Sequence, residues 1–76
     1  MEKEIIKINT EYIKLDQLLK FSGIADTGGM AKDIILCGDI KVNGETVLQR
    51  GKKIRSGDEV NVGNQVILQI LPHLGI

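Results

Sequence analysis

An α+β fold, with a helix–turn–helix pair packed on a small, mostly antiparallel β-sheet, is what three features of this 76-residue chain predict. Helical spacing of apolar residues is confined to the stretch from Leu15 to Cys37, with strand-like patterns on either side of it. Each helical stretch is followed by a glycine, Gly23 and Gly38, as helix ends favour. Asn43-Gly44, between two short β-prone runs, is the strongest hairpin signal a sequence carries.

The first element is a strand, Glu4-Ile5-Ile6-Lys7-Ile8, rich in β-branched residues and bounded by the turn-prone Asn9-Thr10. Leu15, Leu18, Leu19 and Ser22 then fall at i, i+3, i+4 and i+7, one stripe of a short helix. Asp16 and Gln17 lie in its first turn, where a carboxylate suits the positive end of the helix dipole. A second helix opens at Asp26-Thr27-Gly28-Gly29, with Asp26 or Thr27 as the capping acceptor. Met30, Ala31, Ile34, Ile35 and Cys37 are its expected apolar side, Cys37 as a small buried residue. The short connection between the helices requires them to pack against each other.

From Asp39 onward the chain reads as β. Ile40 and Val42 should face inward and Lys41 outward. Thr46-Val47-Leu48 returns antiparallel after Asn43-Gly44, and Arg50-Gly51-Lys52-Lys53 forms a basic loop. A turn at Ser56-Gly57-Asp58 leads to strands at Glu59–Val62 and Gln65–Ile70, joined by Gly63-Asn64, and Pro72 stops the last. The expected order is β-α-α-β-β-β-β over one domain, residues 1–76.

A chain of this length buries roughly 60% of the surface its unfolded form exposes, so its core is thin. The hydrophobic fraction of 42% is ordinary, and a charged fraction of 26% is too low for a disordered tail. A single cysteine makes no internal disulfide, which suits a reducing compartment. No apolar core of a signal peptide and no run of roughly 20 apolar residues is present, so a cytoplasmic location without membrane contact is expected.

Ten Lys/Arg balance ten Asp/Glu, yet the charge is unevenly spread. Residues 32–55 hold six cations (Lys32, Lys41, Arg50, Lys52, Lys53, Arg55) against Asp33, Asp39 and Glu45, and no Lys or Arg follows Arg55. An anionic partner responds to local field, because salt screens beyond roughly 8–10 Å. Two features therefore point to nucleic acid. Arg50, Lys52, Lys53 and Arg55 crowd into six residues, with Lys41 nearby in the preceding hairpin. Thr27-Gly28-Gly29 leaves the free N–H groups of a helix start unshielded, an anion site that Lys32 one turn on can reinforce. The alternative for the two glycines is close helix packing.

Only Tyr12 and Phe21 are aromatic, and Phe21 is expected in the core. Readers of single strands stack bases on aromatic platforms. Without them, binding should rest on phosphates and on the shape of structured RNA, with steep salt dependence. Catalysis, cofactors and a small-molecule substrate find no support. The one histidine, His73, follows Pro72 near the C-terminus, a metal would need several His/Cys at set spacing, and Asp58-Glu59 reads as part of a turn.

Lys14-Leu15-Asp16-Gln17-Leu18-Leu19, Gly23-Ile24-Ala25, Ala31, Gly38-Asp39-Ile40-Lys41-Val42-Asn43-Gly44 and Ser56-Gly57-Asp58-Glu59-Val60 together resemble the S-four RNA-binding domain. That family takes its name from a small-subunit ribosomal protein and is also appended to pseudouridine synthases and tyrosyl-tRNA synthetases. The likeness covers about two-thirds of the chain, residues 14–60, and is nearest to compact stand-alone bacterial members. It implies the αL RNA-binding motif and a non-enzymatic binder of ribosomal or transfer RNA; separately, a monomer is the expected state. By position the resemblance implicates Lys14, Thr27, Lys32, Lys41 and Asn43, with Arg50, Lys52, Lys53 and Arg55 as basic neighbours. Thr27-Gly28 stands where many members have Ser-Arg. Lys14 stands where Arg is common, and Lys does not make the same bidentate phosphate contact. The missing arginine motivates a second reading, a protein–protein adaptor that keeps the fold without the RNA.

Overall fold

Alternation of apolar and polar residues in the second half of the chain builds a sheet with one greasy and one wet face. In the computed structural model, which describes residues 2–72, the elements run β1 (Glu2–Ile8), β2 (Ile13–Lys14), α1 (Leu15–Phe21), α2 (Gly28–Leu36), β3 (Ile40–Val42), β4 (Glu45–Thr46), β5 (Lys53–Ile54), β6 (Glu59–Val62) and β7 (Val66–Pro72). His73 lies outside the described residues. A five-stranded sheet has the order β1-β7-β6-β3-β4, and β2 and β5 form a separate two-stranded ribbon. β1 and β7 pair in parallel, and every other pairing is antiparallel. The class is α+β, with both helices on one face of a mostly antiparallel sheet.

The core follows from that alternation. Ile40, Val42, Val60, Val62, Leu68 and Ile70 point from the large sheet into one apolar cluster with Leu15, Leu18 and Leu19 of α1 and Ala31 and Ile35 of α2. Leu15, Leu18 and Leu19 are fully buried, so the helical stripe read from the sequence is the stripe that packs. Lys41, Asn61 and Ile67 share a row on the opposite face of the sheet, away from the helices.

The hairpin forms as its turn residues dictate. Val42 pairs with Glu45 across a two-residue loop in which Asn43 (φ 52°) and Gly44 (φ 88°) both have positive φ, the backbone of a type I′ turn. Each helix stops at a glycine in the left-handed region, Gly23 at φ 83° and Gly38 at φ 85°. The second helix is capped by Thr27, whose Oγ1 accepts from the Met30 N–H at 3.1 Å, rather than by Asp26.

The expected elements need four corrections. Phe21 is not core: it is 66% exposed, because α1 ends there and the stripe of three leucines lies on its other side. Cys37 is exposed rather than buried, because it caps the C-terminus of α2 and its Sγ reaches the Ile34 carbonyl and Asp39. Met30 is also exposed, leaving Ala31 and Ile35, with the half-buried Ile34, as the packed side of α2. The return strand of the hairpin is only Glu45–Thr46, and Leu48 is exposed. Past Val47, whose N–H donates to the Ile40 carbonyl, the chain leaves the sheet to reach the start of α1.

Candidate nucleic-acid interface

The basic segment expected as a loop is anchored by main-chain bonds. The Asp16 N–H donates to the Arg50 carbonyl (3.0 Å) and the Leu15 N–H to the Lys52 carbonyl (2.9 Å). Lys53 is not in the loop: Lys53-Ile54 pairs antiparallel with Ile13-Lys14. A helix start has four N–H groups without an intrahelical partner. Arg50 and Lys52 cap two of them in α1, whose N-cap residue Lys14 supplies no side-chain cap, and Asp16 Oδ1 accepts from the Gln17 N–H at 2.8 Å.

Strand alternation sorts the side chains of the ribbon. Ile13 and Ile54 face each other, Ile54 fully buried, and turn toward the core. On the other face Lys14 stands directly opposite Lys53, and one pleat along Tyr12 meets Arg55. The Lys53 ammonium lies 4.9 Å and the Arg55 guanidinium 5.8 Å from the centre of the Tyr12 ring, within cation–π range. Tyr12, Lys14, Lys53 and Arg55 thus form one surface.

Two carboxylates approach it. Arg55 Nη1 is 3.4 Å from Glu11 Oε1, and Arg50 Nε is 4.0 Å from Asp16 Oδ2. The arginines are more than half exposed, and such surface pairs contribute about 0–1 kcal/mol, too little to cancel the field of the ribbon. Among the described residues Lys14, Lys52 and Lys53 make no ion pair.

The remaining expected residues lie elsewhere. Lys32 is exposed on α2, and Lys41 occupies the outer sheet face between Thr46 and Asn61. Asn43 is a tether: its Oδ1 accepts from the Glu59 N–H (3.0 Å) and its Nδ2 donates to Asp58 Oδ1 (3.1 Å). Asp58 Oδ2 in turn accepts from the Arg55 N–H at 2.8 Å, so this chain of bonds ties the hairpin tip to the end of the ribbon.

At the start of α2 the glycines are not explained by packing. A Cβ on Gly28 would meet nothing within 4 Å, and one on Gly29 would meet only Thr27 Oγ1 at 3.9 Å. The N–H groups of Gly28 and Gly29 donate to no protein group among the described residues. Of the two helix starts, that of α1 is closed by the basic segment and that of α2 is open. Gly28→Ala should therefore stabilise the protein by about 0.4–1 kcal/mol through the unfolded chain, measurable by denaturant titration. A loss of stability would show that this glycine serves the fold.

A cleft of about 400 Å³ adjoins the ribbon, lined among others by Lys7, Asn9, Tyr12, Lys14, Gln17 and Phe21. Tyr12, Phe21 and Lys7 were not expected at a site. Tyr12-Ile13-Lys14 and Lys53-Ile54-Arg55 are two polar–Ile–polar triplets, and that matching pattern is the sequence signal for both the ribbon and Tyr12. No group of three or more His, Cys, Asp or Glu side chains that could hold a metal ion occurs among the described residues. No helix of the described residues is long and apolar enough to cross a membrane.

A helix pair packed on a small, mostly antiparallel sheet is consistent with the S4 domain. The S4 domain family model matches residues 6–70, and the chain belongs to that family. A relative in Bacillus subtilis (strain 168), a probable ribosome maturation protein RlbA, is 40% identical over 57 residues, covering 75% of this chain and 80% of the relative.

Proposed function

We propose that this protein binds structured RNA, ribosomal or transfer RNA, through the face formed by Tyr12, Lys14, Lys53 and Arg55, in the cytoplasm and with no chemistry of its own. Arg50 and Lys52 extend this face, and Lys32 with the open N–H groups of Gly28 and Gly29 offers a second phosphate contact. Membership of the S4 family supports the reading, as does a relative named for ribosome maturation.

One observation carries it. Lys14 and Lys53 are direct cross-strand partners, and like charges in that position destabilise a sheet. Among the described residues no carboxylate answers either lysine. A local rule broken at an exposed pair points to a functional surface, and a phosphate seated between the two ammonium groups turns the repulsion into attraction. The spacing of backbone phosphates in folded RNA supplies such charges in series.

The test is filter binding of a ribosomal RNA fragment at several salt concentrations. Neutralising roughly three to six phosphates gives a slope of log K against log salt of about −2 to −5. An affinity indifferent to salt would overturn the proposal.

A further inference from the structure

The chain holds two aromatic residues, and both line the same cleft. Phe21 is left in solvent at the last turn of α1, although an aromatic side chain is among those that gain most from burial. The cleft lies within the roughly 300–1,000 Å³ of small-molecule pockets, and among the described residues no Asp or Glu lines it.

The lining selects its occupant. The rings of Tyr12 and Phe21 favour a flat π-surface. The side-chain amides of Asn9 and Gln17 each carry donors and an acceptor, as the edge of a nucleobase requires. Lys7 and Lys14 favour an anion attached to that flat group. A nucleotide unites the three. A base within a duplex has both faces covered by its neighbours, so only an unpaired one, in a bulge or loop, can enter. Tyr12 joins this cleft to the ribbon, since the same ring lies beneath Lys53 and Arg55.

We infer that the cleft between Tyr12 and Phe21 receives one unpaired base of the RNA whose phosphates the ribbon holds. The inference rests on the RNA-binding reading above and adds a feature that RNA must have. Binding then depends on an irregularity in the RNA, and duplex shape alone is insufficient for full affinity.

Two RNA hairpins closed by a non-nucleotide linker in place of a loop, differing only by a single-nucleotide bulge whose base is 2-aminopurine, provide the test. The wild-type protein should bind the bulged hairpin at least about fivefold more tightly, the lower end of base–aromatic stacking, and quench the 2-aminopurine fluorescence. Phe21→Ala should erase that preference and the quenching while leaving affinity for the fully paired hairpin unchanged. Because Phe21 is exposed, this variant keeps its fold, which circular dichroism checks. Lys53→Gln should weaken binding of both hairpins alike. Equal binding of the two hairpins by wild type, or a preference that survives Phe21→Ala, overturns the cleft and leaves the basic face standing. Failure to bind either hairpin at low salt removes both.

Discussion

Replacing Lys14, Lys53 and Arg55 together by glutamine should lower affinity for RNA by roughly 100- to 1,000-fold at 0.1 M salt and flatten the log–log salt slope by about three. Each lost phosphate contact removes about 0.9 from the slope, and the same factor at 0.1 M salt removes nearly one decade of affinity. The three side chains lie on one face of the ribbon, so their losses should fall on the same length of RNA backbone. Thermal stability should change little, because relief of the Lys14–Lys53 repulsion is offset by loss of the cation–π contacts of Lys53 and Arg55 with Tyr12. The exposed Arg55–Glu11 contact contributes little. Isothermal titration at three salt concentrations and a thermal melt measure both. Wild-type affinity in this variant would exclude the ribbon as the RNA surface.

The second large effect concerns folding. Ile54 is completely buried beneath the ribbon, facing Ile13 and joining the cluster of Leu15, Leu18 and Leu19. Ile54→Ala should cost about 2–5 kcal/mol, the transfer of the lost atoms plus the cavity left behind. At about 0.05–0.15 kcal/mol per residue, the whole chain has roughly 4–11 kcal/mol in hand. The substitution should therefore lower Tm by about 10–30 °C, read by circular dichroism. The milder Ile54→Val should cost only about 0.5–1.5 kcal/mol. A shift of a degree or two for Ile54→Ala would mean that the ribbon is not moored in the core.

The ribbon also marks where the sequence was legible and where it was not. The hairpin at Asn43-Gly44, the Thr27 cap of the second helix, the glycine stops of both helices and the buried leucines all follow from local chemistry, with each residue's role decided within a few positions of itself. The same holds for the four strands of Ile40–Val42, Glu59–Val62, Val66–Pro72 and Glu2–Ile8, whose alternation or β-branched content is plain. The ribbon was hidden because Ile13-Lys14 and Lys53-Ile54 are two-residue strands, too short for a period to register, and they meet across some forty positions of chain. Phe21 and Cys37 were misplaced for a related reason. Both sit where a helix ends, and periodicity specifies a direction around the axis but not whether a neighbour extends far enough to cover the final turn.

The candidate site was legible to a similar degree. Clustering of cations at residues 50–55 was visible in the sequence; the structure sets beside them, from a distant segment, Lys14, which the resemblance had implicated, and Tyr12, which nothing had. Lys41 and Asn43 belong to the right hairpin, yet one faces the outer side of the sheet and the other is engaged with Asp58 and Glu59. Charge along a chain reports composition, whereas the direction of a side chain depends on the pleat of its strand.

The carbonyls of Arg50 and Lys52 that hold the first helix start belong to the backbone, which every amino acid provides. The Lys52 side chain is thereby released from architectural duty, and that of Arg50 keeps only its weak contact with Asp16. Their identity can drift among homologous chains, tuning adhesion strength or preference for a particular target, while the scaffold underneath keeps its shape.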